Sequence, residues 1–199
     1  TASSGGSPTV GNSASVEIRE DYHKSGNLVF YMPFDEGSGT TAKDISGNNY
    51  QGTFSGDPAW VSGKRGTALQ FDGNEDKITV PNFSEITGNN ALSVAIWLKS
   101  NQNANRAHML NWGVHQDQTG KRFSLCLSDM KIRVENSSGF NASTNTYGDN
   151  QWHHLVVTKP NNSATVQYYL DSSLISGSGT LGNFNIPSGG ELSIGDHLS

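Results

Sequence analysis

The chain has 199 residues, a formal net charge of −5 and 13 Lys and Arg residues spread along it with no run longer than two. That length suits one large β domain. The scatter of basic residues argues against both the gathered basic surface that nucleic acid requires and a polybasic membrane patch, and no apolar run reaches membrane-spanning length.

Residues Thr1–Pro8 are rich in Ser and Gly and read as a flexible leader. Ser15–Asp21 alternates Val16 and Ile18 against Glu17 and Arg19, a strand-like arm. Residues 1–26 therefore stand apart from a domain over 27–199. Leu28–Phe34 reads as a strand with Leu28, Phe30, Met32 and Phe34 on one face. Asp35–Asn49 is so dense in Gly, Ser, Asn and Asp that a loop without regular structure is expected. Pro58–Val61 and Ala68–Phe71 read as short strands around a Gly63–Gly66 turn, and Asp72–Asp76 as a tight turn into Lys77–Val80.

Leu92–Lys99 turns Leu92, Val94, Ile96 and Leu98 to one side and Trp97 to the other. After a polar stretch over 101–106 come strands at His108–Trp112, Arg122–Ser128 and Met130–Glu135. Asn136–Asn150 is expected to be a long rim loop. Gln151–Lys159 is apolar on both faces at its centre, as in a strand inside a packed sheet. Thr165–Leu170, Leu174–Ser176 and Glu191–Gly195 complete the strands. No helical periodicity and no internal repeat is evident. Hydrophobic residues make up only 33% of the chain, yet they fall in short alternating runs, and a content of 23 glycines fits short strands joined by tight turns. The lone Cys126 excludes an internal disulfide framework, and nothing near it in sequence marks it as a nucleophile.

The run LVFYMPFDEGSGTTAKDISGNNYQG (Leu28–Gly52) resembles the opening of LamG-like jelly rolls, a branch of the concanavalin A-like lectin/glucanase superfamily. The resemblance continues in order through GKRGTALQFDGNEDKITV, ALSVAIWLKS, QWHHLVVTK, YYLD and ELSIGD. It implies an all-β fold, an antiparallel two-sheet jelly-roll sandwich. It also implies an extracellular or cell-surface module that recognises a glycan or a cell-surface protein. Glucanases of the superfamily carry carboxylates as E-x-D-x-x-E on one strand. The nearest run here, Glu17-Ile18-Arg19-Glu20, puts Arg where Asp is needed, so no catalytic residue is expected. Such domains usually end in a strand like G-x-I-D-E-V-R-I-Y-N beside the first strand, and this chain ends at Asp196-His197-Leu198-Ser199 before it. That final strand is expected to be missing. The arm carrying Val16 and Ile18 has the alternation to take its place, in its own chain or in a neighbour. The second case would make the protein a self-associating filament subunit.

Two sets of side chains are candidates for ligands. Arg106, Asn111, Trp112 and Tyr147 fall on or near expected rim segments and combine aromatic faces with polar groups, the chemistry of sugar recognition. Trp60 and Trp97 are read as structural. Many LamG-like domains bind one calcium ion, and Asp35, Asp44, Asn48, Asp72, Asp76 and Asp196 supply oxygens for one here. The alternative use of these residues is to brace their own turns. Asp72-x-Asn74-x-Asp76 is not an EF-hand, because Lys77 stands where that loop needs Gly. His153 and His154 are adjacent, so in a strand they point to opposite faces and cannot chelate one ion together.

Overall fold

A computed structural model describes residues 27–100, 107–114 and 120–196. The expectations for the leader, for Val16 and Ile18 and for Arg106 lie outside the described residues. The strands are β1 Thr41–Lys43, β2 Gln51–Ser55, β3 Ala59–Ser62, β4 Thr67–Gln70, β5 Lys77–Phe83, β6 Leu92–Lys99, β7 Ala107–Gly113 and β8 Arg122–Ser128. They continue with β9 Lys131–Glu135, β10 Phe140–Ser143, β11 Trp152–Lys159, β12 Gln167–Leu170, β13 Ser173–Ile175, β14 Gly177–Ser178 and β15 Gly190–Ile194.

One sheet has nine strands in the order β1-β2-β5-β15-β7-β8-β9-β10-β14, a second has four in the order β13-β12-β11-β6, and β3-β4 is a separate hairpin. Every pairing is antiparallel. The chain is an all-β jelly-roll sandwich.

Strand alternation builds the interior. Phe123, Leu125 and Leu127 of β8 and Ile132 and Val134 of β9 face Leu155 and Val157 of β11 and Tyr168 and Leu170 of β12 in one buried cluster. Each such side chain contributes about 1.5–3 kcal/mol by leaving water. The one phenol among them, Tyr168, satisfies its hydroxyl by donating to the Asn141 carbonyl at 2.7 Å.

The first run differs from expectation in its pairing but not in its packing. Phe30, Met32 and Phe34 do face the core, and Phe30 meets Phe83 edge-on at 5.7 Å. The run nevertheless forms no assigned strand. Its backbone groups are taken by the following turn. Asp44 Oδ1 accepts from Tyr31 N at 2.8 Å, Tyr31 O accepts from Ile45 N at 2.8 Å, and Asn48 Nδ2 donates to Val29 O at 2.9 Å. Pro33 has no N–H to offer, and Phe34 sits at φ 58°, which ends the extended run. Two loops expected to be irregular contain short strands. β1 pairs with β2 inside the Asp35–Asn49 region, and β10 pairs with β9 and β14 inside the Asn136–Asn150 region.

Candidate functional site

The expected rim set does not share a surface. Trp112 and Asn111 both lie in β7, which runs between β15 and β8 in the interior of the large sheet. Trp112 is 2% exposed and stacks on Phe123 with centroids 4.2 Å apart. Asn111, its neighbour, points to the opposite face and is fully buried. Tyr147 is half-buried and meets the His153 ring edge-on at 6.3 Å.

Of the residues considered for calcium, Asp35, Asp44, Asp72, Asp76 and Asp196 accept local hydrogen bonds, and Asn48 is engaged through its Nδ2. Asp44 accepts from Tyr31 N, from Ser46 N at 2.9 Å and from Ser46 Oγ at 2.8 Å. Asp35 accepts from Thr67 N at 3.1 Å. Asp76 takes Asp57 N at 2.8 Å and Asp72 N at 2.9 Å, tying two turns together. Asp72 accepts from Asn74 N and Nδ2, bonds that hold its carboxyl below the usual carboxylate range. Asp196 accepts from Ser193 Oγ at 3.3 Å. Among the described residues, the three side chains that do gather with metal-ligand spacing are His108, Cys126 and Glu135.

A different surface presents groups to solvent. On the outer face of the four-stranded sheet, cross-strand register sets Ala95, Val156, Tyr169 and Leu174 in one row and Trp97 opposite His154 in the next. Trp97 is 45% exposed, and no other Trp of the four is exposed. Its ring lies 5.1 Å from the His154 ring, and Lys64 Nζ stands 5.6 Å from its centroid. Leu174, at the far end of the neighbouring row, is 62% exposed. An aromatic face flanked by a cation and an imidazole can stack on a ligand ring and bond its polar edge. Sequence reasoning placed Trp97 on the outward side of β6 and still read it as structural. The signal was that alternation, opposite to buried Leu92, Val94 and Leu98.

One edge of this face is held by His153, which points the other way. Its Nδ1 lies 2.7 Å from Asp171 Oδ2 and its Nε2 3.1 Å from Asp149 Oδ1. Burial alone would lower its pKa, but the two carboxylates outweigh it and raise the value above the usual histidine range. At the opposite end, a groove of about 550 Å³ runs between residues 27–29 and the start of β6. Val29, Ile86 and Leu92 give it an apolar lining, and Asn27, Glu85, Ser93 and Lys159 a polar one. Lys159 Nζ is fixed there by bonds to Asn89 Oδ1 at 2.9 Å and to the carbonyls of Asn89, Pro160 and Ser163.

A laminin-G family profile, described as the concanavalin A-like lectin/glucanases superfamily, matches residues 72–198, more than half of the chain. The chain belongs to this superfamily. Comparison with curated protein sequences finds no match. Among solved structures, this LamG-like chain is similar to domain 4 of AbnA, a GH43 extracellular arabinanase from Geobacillus stearothermophilus, in complex with arabinotriose. The identity is 20% and the TM-score 0.58, with 77% of each chain covered. It is also similar to botulinum neurotoxin type C, at 15% identity and TM-score 0.62, covering 88% of this chain and 43% of that one. The binding domain of Paraclostridial Mosquitocidal Protein 1 aligns at 17% identity and TM-score 0.60, covering 87% and 46%. The LamG-like chain thus spans less than half the length of the two toxin chains. These likenesses show the shared fold.

Within that fold, the described strands carry only two carboxylates, Glu135 on β9 and Glu191 on β15. Three strand spacings separate β9 from β15, roughly 14 Å at 4.8 Å each. A glycosidase pair stands about 5–10 Å apart. Glu135 is moreover held between Arg122 at 3.3 Å and Arg133 at 2.8 Å.

Proposed function

We propose that this LamG-like chain is a non-catalytic extracellular recognition module that binds a glycan across the outer face of its small sheet, with Trp97 as the stacking platform. The observation that carries the reading is Trp97 itself, the exposed Trp of four, in a row with His154 and beneath Lys64. The spacing of Glu135 from Glu191 and the two arginines that hold Glu135 support the non-catalytic part. The comparisons add weight: AbnA domain 4 was determined with arabinotriose, and cell entry of neurotoxin type C depends on two ganglioside molecules. The test is a glycan array followed by calorimetry on the glycans retained, run with and without calcium. W97A is expected to weaken binding about tenfold or more, a loss of about 1.4 kcal/mol, while the fold melts as before. A chain that retains no glycan, or a W97A variant that binds as the native chain does, overturns the reading.

A second reading is favoured by the groove beside β6. Among the described strands β6 is an edge, and the apolar lining of the groove suits an added strand. The arm Ser15–Asp21, with Val16 and Ile18 on one side, would be inserted there by a neighbouring copy, which makes the protein a filament subunit.

A further inference from the structure

We propose that His108, Cys126 and Glu135 form a binding site for a zinc-class divalent ion on the outer face of the large sheet. The site is independent of the glycan reading. The three residues come from adjacent strands β7, β8 and β9, and register places His108 beside Cys126 and Cys126 beside Arg133, two residues before Glu135. All three point away from the core face that carries Phe123, Leu125 and Val134. One ligating atom from each lies within 4.8 Å of the other two, and all three side chains are buried. Ligands around a tetrahedral zinc, with bonds of about 2.0–2.3 Å, lie roughly 3.5 Å apart, so small rotamer shifts close the set.

His108 supplies the independent observation. It is 3% exposed, and its Nδ1 lies 2.7 Å from Ser124 Oγ and 3.1 Å from Asn111 Oδ1. The Asn111 amide oxygen only accepts, which favours the tautomer with the proton on Nδ1 and a bare lone pair on Nε2. That Nε2 is buried and has no hydrogen-bond partner. A histidine whose one nitrogen is fixed by a polar neighbour while the other has nothing to bond is arranged as metal-ligating histidines are.

The donor set selects the ion. A thiolate, an imidazole and a carboxylate suit zinc, whereas calcium and magnesium require oxygen ligands throughout. Arg122 and Arg133 orient the Glu135 carboxylate and also oppose a bare dication, so the charge of the thiolate is needed. On binding, the Cys126 S–H bond breaks, its proton leaves to solvent and a sulfur–metal bond forms, with no change of oxidation state.

The test uses the full chain, reduced and stripped with EDTA. With Zn²⁺ at a hundredfold excess over its Kd, Tm is expected to rise by about 5 °C or more. One equivalent of Co²⁺ should give a thiolate charge-transfer band that C126S abolishes and E135Q weakens. X-ray absorption of the zinc-loaded native chain should show sulfur at about 2.3 Å, and this readout needs no variant to fold. A chain that retains no metal after desalting overturns the site. So does a first shell without sulfur, or a C126S variant that binds as the native chain does.

Discussion

His153 shows how one side chain makes the small sheet respond to pH. It joins the Asp149 loop to the Asp171 turn through two hydrogen bonds, and both carboxyls are held below their usual range. For Asp149 the chief cause is the Gln151 N–H, with His153 second. For Asp171 it is His153 itself. Because the folded pKa of His153 is raised, the stability it adds is fully present below the unfolded value of about 6.5. It is lost as pH rises through the folded value. The two aspartates act in the opposite sense: their contribution is present above the ordinary carboxylate value and lost as pH falls through their lowered ones. H153Q should therefore lower Tm relative to the native chain more at pH 6 than at pH 9, measured by calorimetry at fixed ionic strength. Equal deficits at both pH values would show that His153 is not protonated in its bridge.

Gly113 ends β7 where the strand turns toward β8, at φ 105°, a conformation that L side chains rarely adopt. A Cβ there would overlap the Lys121 carbonyl and lie 3.1 Å from the Arg122 Cα, and neither is a movable side-chain tip. G113A should cost about 2–4 kcal/mol, read as a lower urea midpoint with an unchanged slope. The same strand shows what could and could not be read from sequence. β6 and β8 were legible to the residue because each keeps large apolar side chains at every second position along its length, Leu92, Val94, Ile96 and Leu98 in β6 and Phe123, Leu125 and Leu127 in β8. β1, β10 and β14 were not, since Thr-Ala-Lys, Phe-Asn-Ala-Ser and Gly-Ser carry too few apolar side chains to show a period, and only pairing with neighbours makes them strands. Trp112 was placed at the rim because it stands near polar residues in sequence, but β15 and β8 enclose it on both sides. His108, Cys126 and Glu135 are separated by eighteen and nine residues and match no ligand spacing. Their meeting depends on register, including the irregularity between His108 and Leu110.

Among the described residues, a groove lies beside the free edge of β6, where a further strand has room to be added. At one end, Asn27 and Val29 share the groove with Ala91, Leu92 and Ser93. At the other, the β3-β4 hairpin touches both sides: Thr67 Oγ donates to Phe34 O at 2.5 Å, and Lys64 lies over Trp97. The run 27–34 and β6 therefore point the same way, and an inserted strand antiparallel to both would match the antiparallel pairing of the described strands. Alternating Val16 and Ile18 would add two apolar side chains to the groove and cover part of the β6 edge. If neighbouring copies supply that arm, light scattering of the full chain should show assemblies that grow with concentration. Deleting residues 1–26 should return the protein to a monomer with a lower Tm, and a peptide of residues 15–21 should restore the Tm without restoring assembly. A full chain that is monomeric at every concentration, and a deletion that melts at the same temperature, would remove the arm from the groove and leave the sheet edge to other partners.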